Sequence, residues 1–186
     1  SAKQRFGNWI VMLYDSNIEE NKELKNHPYL NESGKASIDN YVYEEGECTD
    51  IKVGYMTDEF LRIGNISLQC GRMPEKDDEA AIEWDSLIKL NQGTQIGQEI
   101  HIEVRQGSSQ TTETIEKTYK LTGILTNYTN VWNGGEYIPG IVVTEGEGEA
   151  VNRIGKAAYI YSSNNYINNY RDIYDGLVKK THKELI

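Results

Sequence analysis

Little in this sequence invites covalent or metal chemistry. Its 186 residues include two cysteines, three histidines and three prolines. Cys48 and Cys70 do not form a Cys-x-x-Cys pair, so there is no redox motif. Whether they join in a disulfide or remain two thiols is left open by the sequence. His27, His101 and His182 stand far apart, and none lies at ligand spacing from a cysteine or another histidine. Surface, capping or packing roles are expected for all of them. No Gly-x-x-x-x-Gly-Lys-Ser/Thr loop is present to hold phosphate, and no histidine adjoins a suitable nucleophile. Long apolar runs are missing too. The run Trp9-Ile10-Val11-Met12-Leu13-Tyr14 is far shorter than the ~20 residues that cross a bilayer.

Basic charge is also scarce. Nineteen Lys and Arg face 29 Asp and Glu, for a net charge of -10, and no basic stripe interleaves with aromatics. Nucleic acid would approach against repulsion without the phosphate contacts that supply affinity, so no nucleic-acid partner is expected. Hydrophobic residues make up 38% of the chain and charged residues 26%, which excludes a disordered segment. A chain of this length can bury a sizeable core and divide into two small lobes. Neither Ser1-Ala2 nor the helical pattern running into Ile186 marks a natural boundary, and the expectation is a piece of a longer polypeptide.

Patterning along the chain predicts a strand over 8–14 and a helix from Ile18 that ends before His27-Pro28. Alternation over 36–43 and 50–55 around Glu44-Glu45-Gly46-Glu47 predicts a hairpin, and 57–63 a short helix with Asp58 and Glu59 in its first turn. Lys76 to Glu79 reads as a polar turn before a strand at Ala80-Ala81-Ile82. Asp85 reads as the cap of a helix carrying Leu87, Ile88 and Leu90 to the core. Ile100, Ile102 and Val104 alternate with polar residues, as a half-buried strand requires. A long polar loop at 106–110 separates that strand from another over 114–125. A strand follows at 138–143, with Pro139 favouring an edge or a start. The end returns to a strand over 157–161 and a helix marked by Ile167, Tyr170, Tyr174, Leu177 and Val178.

Candidate sites have bland readings beside their functional ones. Asp77, Asp78 and Glu79 imitate an acidic catalytic cluster, yet adjacent residues point apart and a solvated turn is expected. Glu145, Glu147 and Glu149 lack the ligand series of a calcium loop and read as an exposed acidic loop. Trp132 and Tyr137 flank a glycine turn and would either contact a peptide or lipid or close the core beneath the loop. Tyr166, Tyr170 and Tyr174, spaced four apart, form a stripe that would either pack internally or meet a partner subunit. Lys179, Lys180 and Lys183 suit the end of a helix or a layer of lipid headgroups. No metal or cofactor site is expected.

Four landmarks recur in order: Gly71-Arg72-Met73-Pro74, then Glu79-Ala80-Ala81-Ile82-Glu83, Ile96-Gly97-Gln98-Glu99-Ile100 and Tyr119-Lys120-Leu121-Thr122-Gly123-Ile124-Leu125. Their series resembles the extracytoplasmic domain of FtsX-like ABC transporter permeases, the group that includes the MacB periplasmic core domain. The resemblance implies an α+β fold. A membrane-proximal, porter-like α/β lobe would form from 1–62 with 150–186, and an inserted β-rich lobe from 63–149. It further implies a non-catalytic segment on the extracytoplasmic side of the cell membrane, placed between the first and second transmembrane helices. A cytoplasmic ATP-binding subunit or domain would power it, in a homodimeric or heterodimeric permease. An exported peptide, a lipoprotein, a lipid-linked substrate or an accessory protein would engage it. Two other readings stay open: a standalone secreted or surface module binding peptide or glycan, and a hydrolase built from distant carboxylates such as Glu83 and Glu136.

Overall fold

The structure, a computed structural model, describes residues 11–14, 26, 30–107, 113–130 and 136–163. Ten strands and three short helices follow one another among them. They are β1 (Val11–Tyr14), β2 (Leu30–Ile38), β3 (Asn40–Glu44), β4 (Glu47–Gly54), α1 (Asp58–Ile63), β5 (Leu68–Gly71), β6 (Glu79–Glu83), α2 (Trp84–Leu90), β7 (Glu99–Arg105), β8 (Thr114–Leu125), β9 (Ile141–Val142), α3 (Glu145–Val151) and β10 (Lys156–Ser163). The fold is mixed and strand-rich, and among the described residues no helix is long and apolar enough to cross a membrane. Two compact units result: Ser1–Ala36 with Thr57–Ile66 and Ala157–Ile186, and Ser37–Met56 with Ser67–Lys156.

In the second unit the strand pairings close on themselves. β8 pairs with β6, β6 with β9, β9 with β4, β4 with β3, β3 with β7, and β7 returns to the first half of β8. Six strands therefore make a closed barrel, an arrangement that removes the exposed edges of an open sheet. Ile100, Ile102 and Val104 face inward from β7 as their alternation predicts. They meet Val42, Val53, Ile82, Tyr119 and Leu121 in one apolar cluster. Full burial of each large aliphatic side chain contributes roughly 1.5–3 kcal/mol. The β3–β4 hairpin turns through Glu45 and Gly46, both at positive φ (50° and 80°), which suits the right-handed twist of its strands. β5 lies outside the ring, paired with the last residues of β8.

In the first unit, β1 pairs antiparallel with β10 in a three-stranded sheet of order β1-β10-β2, so segments near the two ends of the chain share a sheet. Thr57 caps α1: its Oγ1 accepts from the Phe60 amide at 3.2 Å and from the Lys35 amide at 3.0 Å. Phe60 and Ile63 are buried beneath it.

Several expectations change. The segment Ser37–Met56 belongs with the barrel rather than with the chain ends, because β3 and β4 supply barrel pairings. The first strand of the predicted hairpin begins earlier, at Leu30, and breaks at Asp39. Only Ile141–Val142 is strand within the predicted 138–143, since Pro139 has no amide to donate and the Gly140 carbonyl accepts from the Glu83 amide instead. Ile88 is 50% exposed and not a core residue. Asp85 lies inside α2, where its amide is capped by Asn127 Oδ1 at 2.9 Å. The 145–149 segment is no loop: Thr144 Oγ1 accepts from the Glu147 amide and starts α3. The predicted helices after Ile18 and after Ile167 lie outside the described residues.

Candidate functional site

β6 is buried along its whole length and carries an acid at each end, so both acids need partners. Glu79 receives both terminal nitrogens of Arg72, at 3.0 and 2.5 Å, and its Oε1 accepts the amides of Glu75 and Lys76 at 3.0 Å each. The Arg72 hydrogen bond and those amides hold its pKa down at about 2, against the opposing effect of desolvation. The expected solvated turn holds for Lys76, Asp77 and Asp78, which are exposed, but Glu79 is only 4% exposed and acts as a folded staple. Gly71 makes the approach possible. Its φ of 77° suits glycine, and a β-carbon there would overlap the Thr122 carbonyl oxygen.

At the other end of β6, Glu83 organises a loop. Its Oε2 accepts the amides of Tyr128 at 2.9 Å and Thr129 at 2.6 Å, while Oε1 accepts the hydroxyls of Ser86 at 3.0 Å and Thr129 at 2.9 Å. The returning limb is tied to the same place, with Tyr128 Oη donating to the Pro139 carbonyl at 2.6 Å. Burial raises the Tyr128 pKa well above its ordinary value, keeping the phenol protonated as a donor. Glu83 therefore supports the feet of the segment containing Tyr137. Glu136, its suggested catalytic companion, is exposed. All four hydrogen bonds of Glu83 tie it to the protein's own loop and helix, at Tyr128, Thr129 and Ser86.

Tyr137 is half-buried, with the Lys156 ammonium 5.8 Å from its ring centroid. That cation–π geometry satisfies part of the ring face and leaves the residue accessible. Trp132, Tyr166, Tyr170 and Tyr174 lie outside the described residues. Cys48 and Cys70 are both free and exposed, so neither is a disulfide partner or a buried thiol.

Sequence reasoning missed an open groove of about 790 Å³ on the barrel. Glu44, Glu45 and Glu47 from the hairpin, Glu103 from β7 and Glu116 from β8 line it, with Cys48 and His101. His101 Nδ1 lies 2.9 Å from Thr118 Oγ1 and 3.5 Å from Glu116 Oε1. Carboxylates around a concavity focus negative potential and disfavour anions. No three His, Cys, Asp or Glu among the described residues are placed to hold a metal ion. The only advance signal was a surplus of acids, because the groove's residues come from four separate stretches of sequence.

No protein-family model matches this sequence, and no curated protein matches it. Solved structures do. The periplasmic region of MacB from Actinobacillus actinomycetemcomitans matches with a TM-score of 0.55 at 8% identity, over 99% of this chain and 91% of that one. The extracellular domain of the noncanonic ABC-type transporter YknZ from Gram-positive bacteria matches with a TM-score of 0.55 at 11% identity, over 96% of this chain and 100% of that one. Identities this low carry fold and not function, and the chain has the fold of these extracytoplasmic transporter domains, the one its ordered landmarks resemble.

Proposed function

We propose that this chain is a non-catalytic extracytoplasmic domain of an ABC transporter permease. The observation that carries the reading is a fold likeness spanning nearly the whole of this chain and of the two transporter domains. ATP is hydrolysed by a cytoplasmic partner, and this segment moves outside the membrane in response. Its partners are that ATP-binding subunit, a second permease copy or related permease, and an exported peptide, lipoprotein, lipid-linked substrate or accessory protein. Trp132 and Tyr137 are the residues for substrate contact, and Tyr166, Tyr170 and Tyr174 for subunit contact. The division of labour between terminal and inserted segments belongs to the same proposal.

The test uses two natural reporters, the exposed thiols Cys48 and Cys70. In intact cells expressing the full-length native polypeptide, a membrane-impermeant maleimide should label them, and the labelled polypeptide should sediment with membranes. Labelling only after lysis would remove the extracytoplasmic placement. Labelled protein found wholly in the medium would favour the standalone binding module.

A further inference from the structure

The chain passes between its two units four times, after residues 36, 56, 66 and 156. Asp39, 1% exposed at the break between β2 and β3, sits three residues beyond the first of these passages. Its amide donates to the Val53 carbonyl at 2.8 Å, and the Ser37 amide donates to the Tyr55 carbonyl at 2.9 Å. Those bonds fasten the first passage to the stretch that precedes the second. The Asp39 carbonyl accepts the amides of Arg153 at 2.7 Å and Ile154 at 3.2 Å, and its Oδ1 accepts from Asn152 Nδ2 at 3.1 Å. These fasten it to the stretch that precedes the last passage. Its Oδ2 accepts from Ser37 Oγ at 2.8 Å, and neighbouring Asn40 donates to the Val151 carbonyl at 3.0 Å. Space for the arrangement depends on Gly148, where a β-carbon would stand 2.6 Å from Asp39 Oδ2.

We propose that Asp39 is a keystone that locks three of the four passages of the barrel unit into one cooperative element. All of these bonds lie within that unit. Because they converge on one buried residue, opening any passage exposes polar groups that the other passages also use. A displacement applied to one is then borne by all, and the barrel is carried as a body instead of being unzipped. The lock is a property of this chain; its use in transmitting motion rests on the transporter reading.

Residue-resolved amide hydrogen exchange separates such a lock from a general contribution to stability, because local and global openings are read independently. In Asp39→Ala the amides of Ser37, Asp39, Arg153 and Ile154 should exchange at least tenfold faster, by a common factor. Those of Ile82, Ile102 and Leu121 should stay within about threefold of wild type. Asp39→Asn keeps an acceptor for Asn152 and a partner for Ser37, and should restore near-native rates. A uniform rise throughout the barrel, or unequal factors at the four root amides, overturns the proposal. Should Asp39→Ala fail to fold, Asn152→Ala removes one strut and must give the same pattern at smaller amplitude; protection unchanged there also overturns it. Exchange bears on the lock alone and thiol labelling in cells on the transporter reading alone, so failure of one leaves the other standing.

Discussion

Glu83 offers the sharpest test of the physical reading, because one side chain accepts four hydrogen bonds beneath the loop that leads to Tyr137. Truncation to alanine leaves the amides of Tyr128 and Thr129 without their acceptor, while the hydroxyls of Ser86 and Thr129 can rotate to other partners. Each buried donor left unsatisfied costs about 1–3 kcal/mol, so Glu83→Ala should lose about 4 kcal/mol. For a chain of this size that is a fall in Tm of roughly 8–16 °C. Glu83→Gln is different in kind. Its carbonyl oxygen can take the two amides and its NH₂ can face the two hydroxyls, which accept as readily as they donate. Only the charge of the acceptor is lost, and about 1 kcal/mol should go with it. Urea unfolding followed by circular dichroism measures both variants. Equal losses for alanine and glutamine, or an alanine loss under 1 kcal/mol, would refute the claim that Glu83 is a hydrogen-bond acceptor for the loop and not a buried charge of another purpose.

Three further outcomes follow from the same geometry. Glu79 has a folded pKa of about 2 against an ordinary 4.5, so its stabilising contribution is complete above pH 4.5 and is lost as pH falls towards 2. Removing the guanidinium in Arg72→Ala should move the acid-unfolding midpoint upward, and superimposable acid titrations would contradict this. Gly71→Ala meets both a positive φ and the Thr122 carbonyl oxygen, whereas Gly97→Ala meets a positive φ in open space. The first should lose about 2–3 kcal/mol in urea unfolding and the second about 1, with the reverse order counting against the close approach. Tyr119 donates to Glu147 Oε1 at 2.7 Å in the interior, and desolvation first, then that bond, raises its pKa. Tyr119→Phe should cost about 1.5–3 kcal/mol, because a charged acceptor loses a buried donor while the Lys117 ammonium, 3.1 Å away, keeps the carboxylate paired. A loss below 0.5 kcal/mol would place the hydroxyl outside the network.

Periodicity made the inward face of β7 legible, and the turn chemistry of Glu45-Gly46 made the hairpin legible, because neighbours in sequence decide both. β5 was not, since all four of its residues are exposed and it exists only because β8 extends beyond the barrel seam to receive it. Glu79 and Glu147 were misread for a shared reason. Local polarity predicts solvent, whereas Arg72 approaches Glu79 across seven residues and Tyr119 meets Glu147 across twenty-eight.

The order of short landmarks was enough, by itself, to point to a mixed, strand-rich fold like that of the extracytoplasmic transporter domains, because each landmark is a local device: a glycine that must bend, a buried strand flanked by acids, an alternating strand. Tertiary structure alone decided which acids are staples and which line the groove, and that Asp39 joins three passages of the chain. Burial and partnership are properties of residues brought together from distant positions, and no local pattern records which distant residue will arrive.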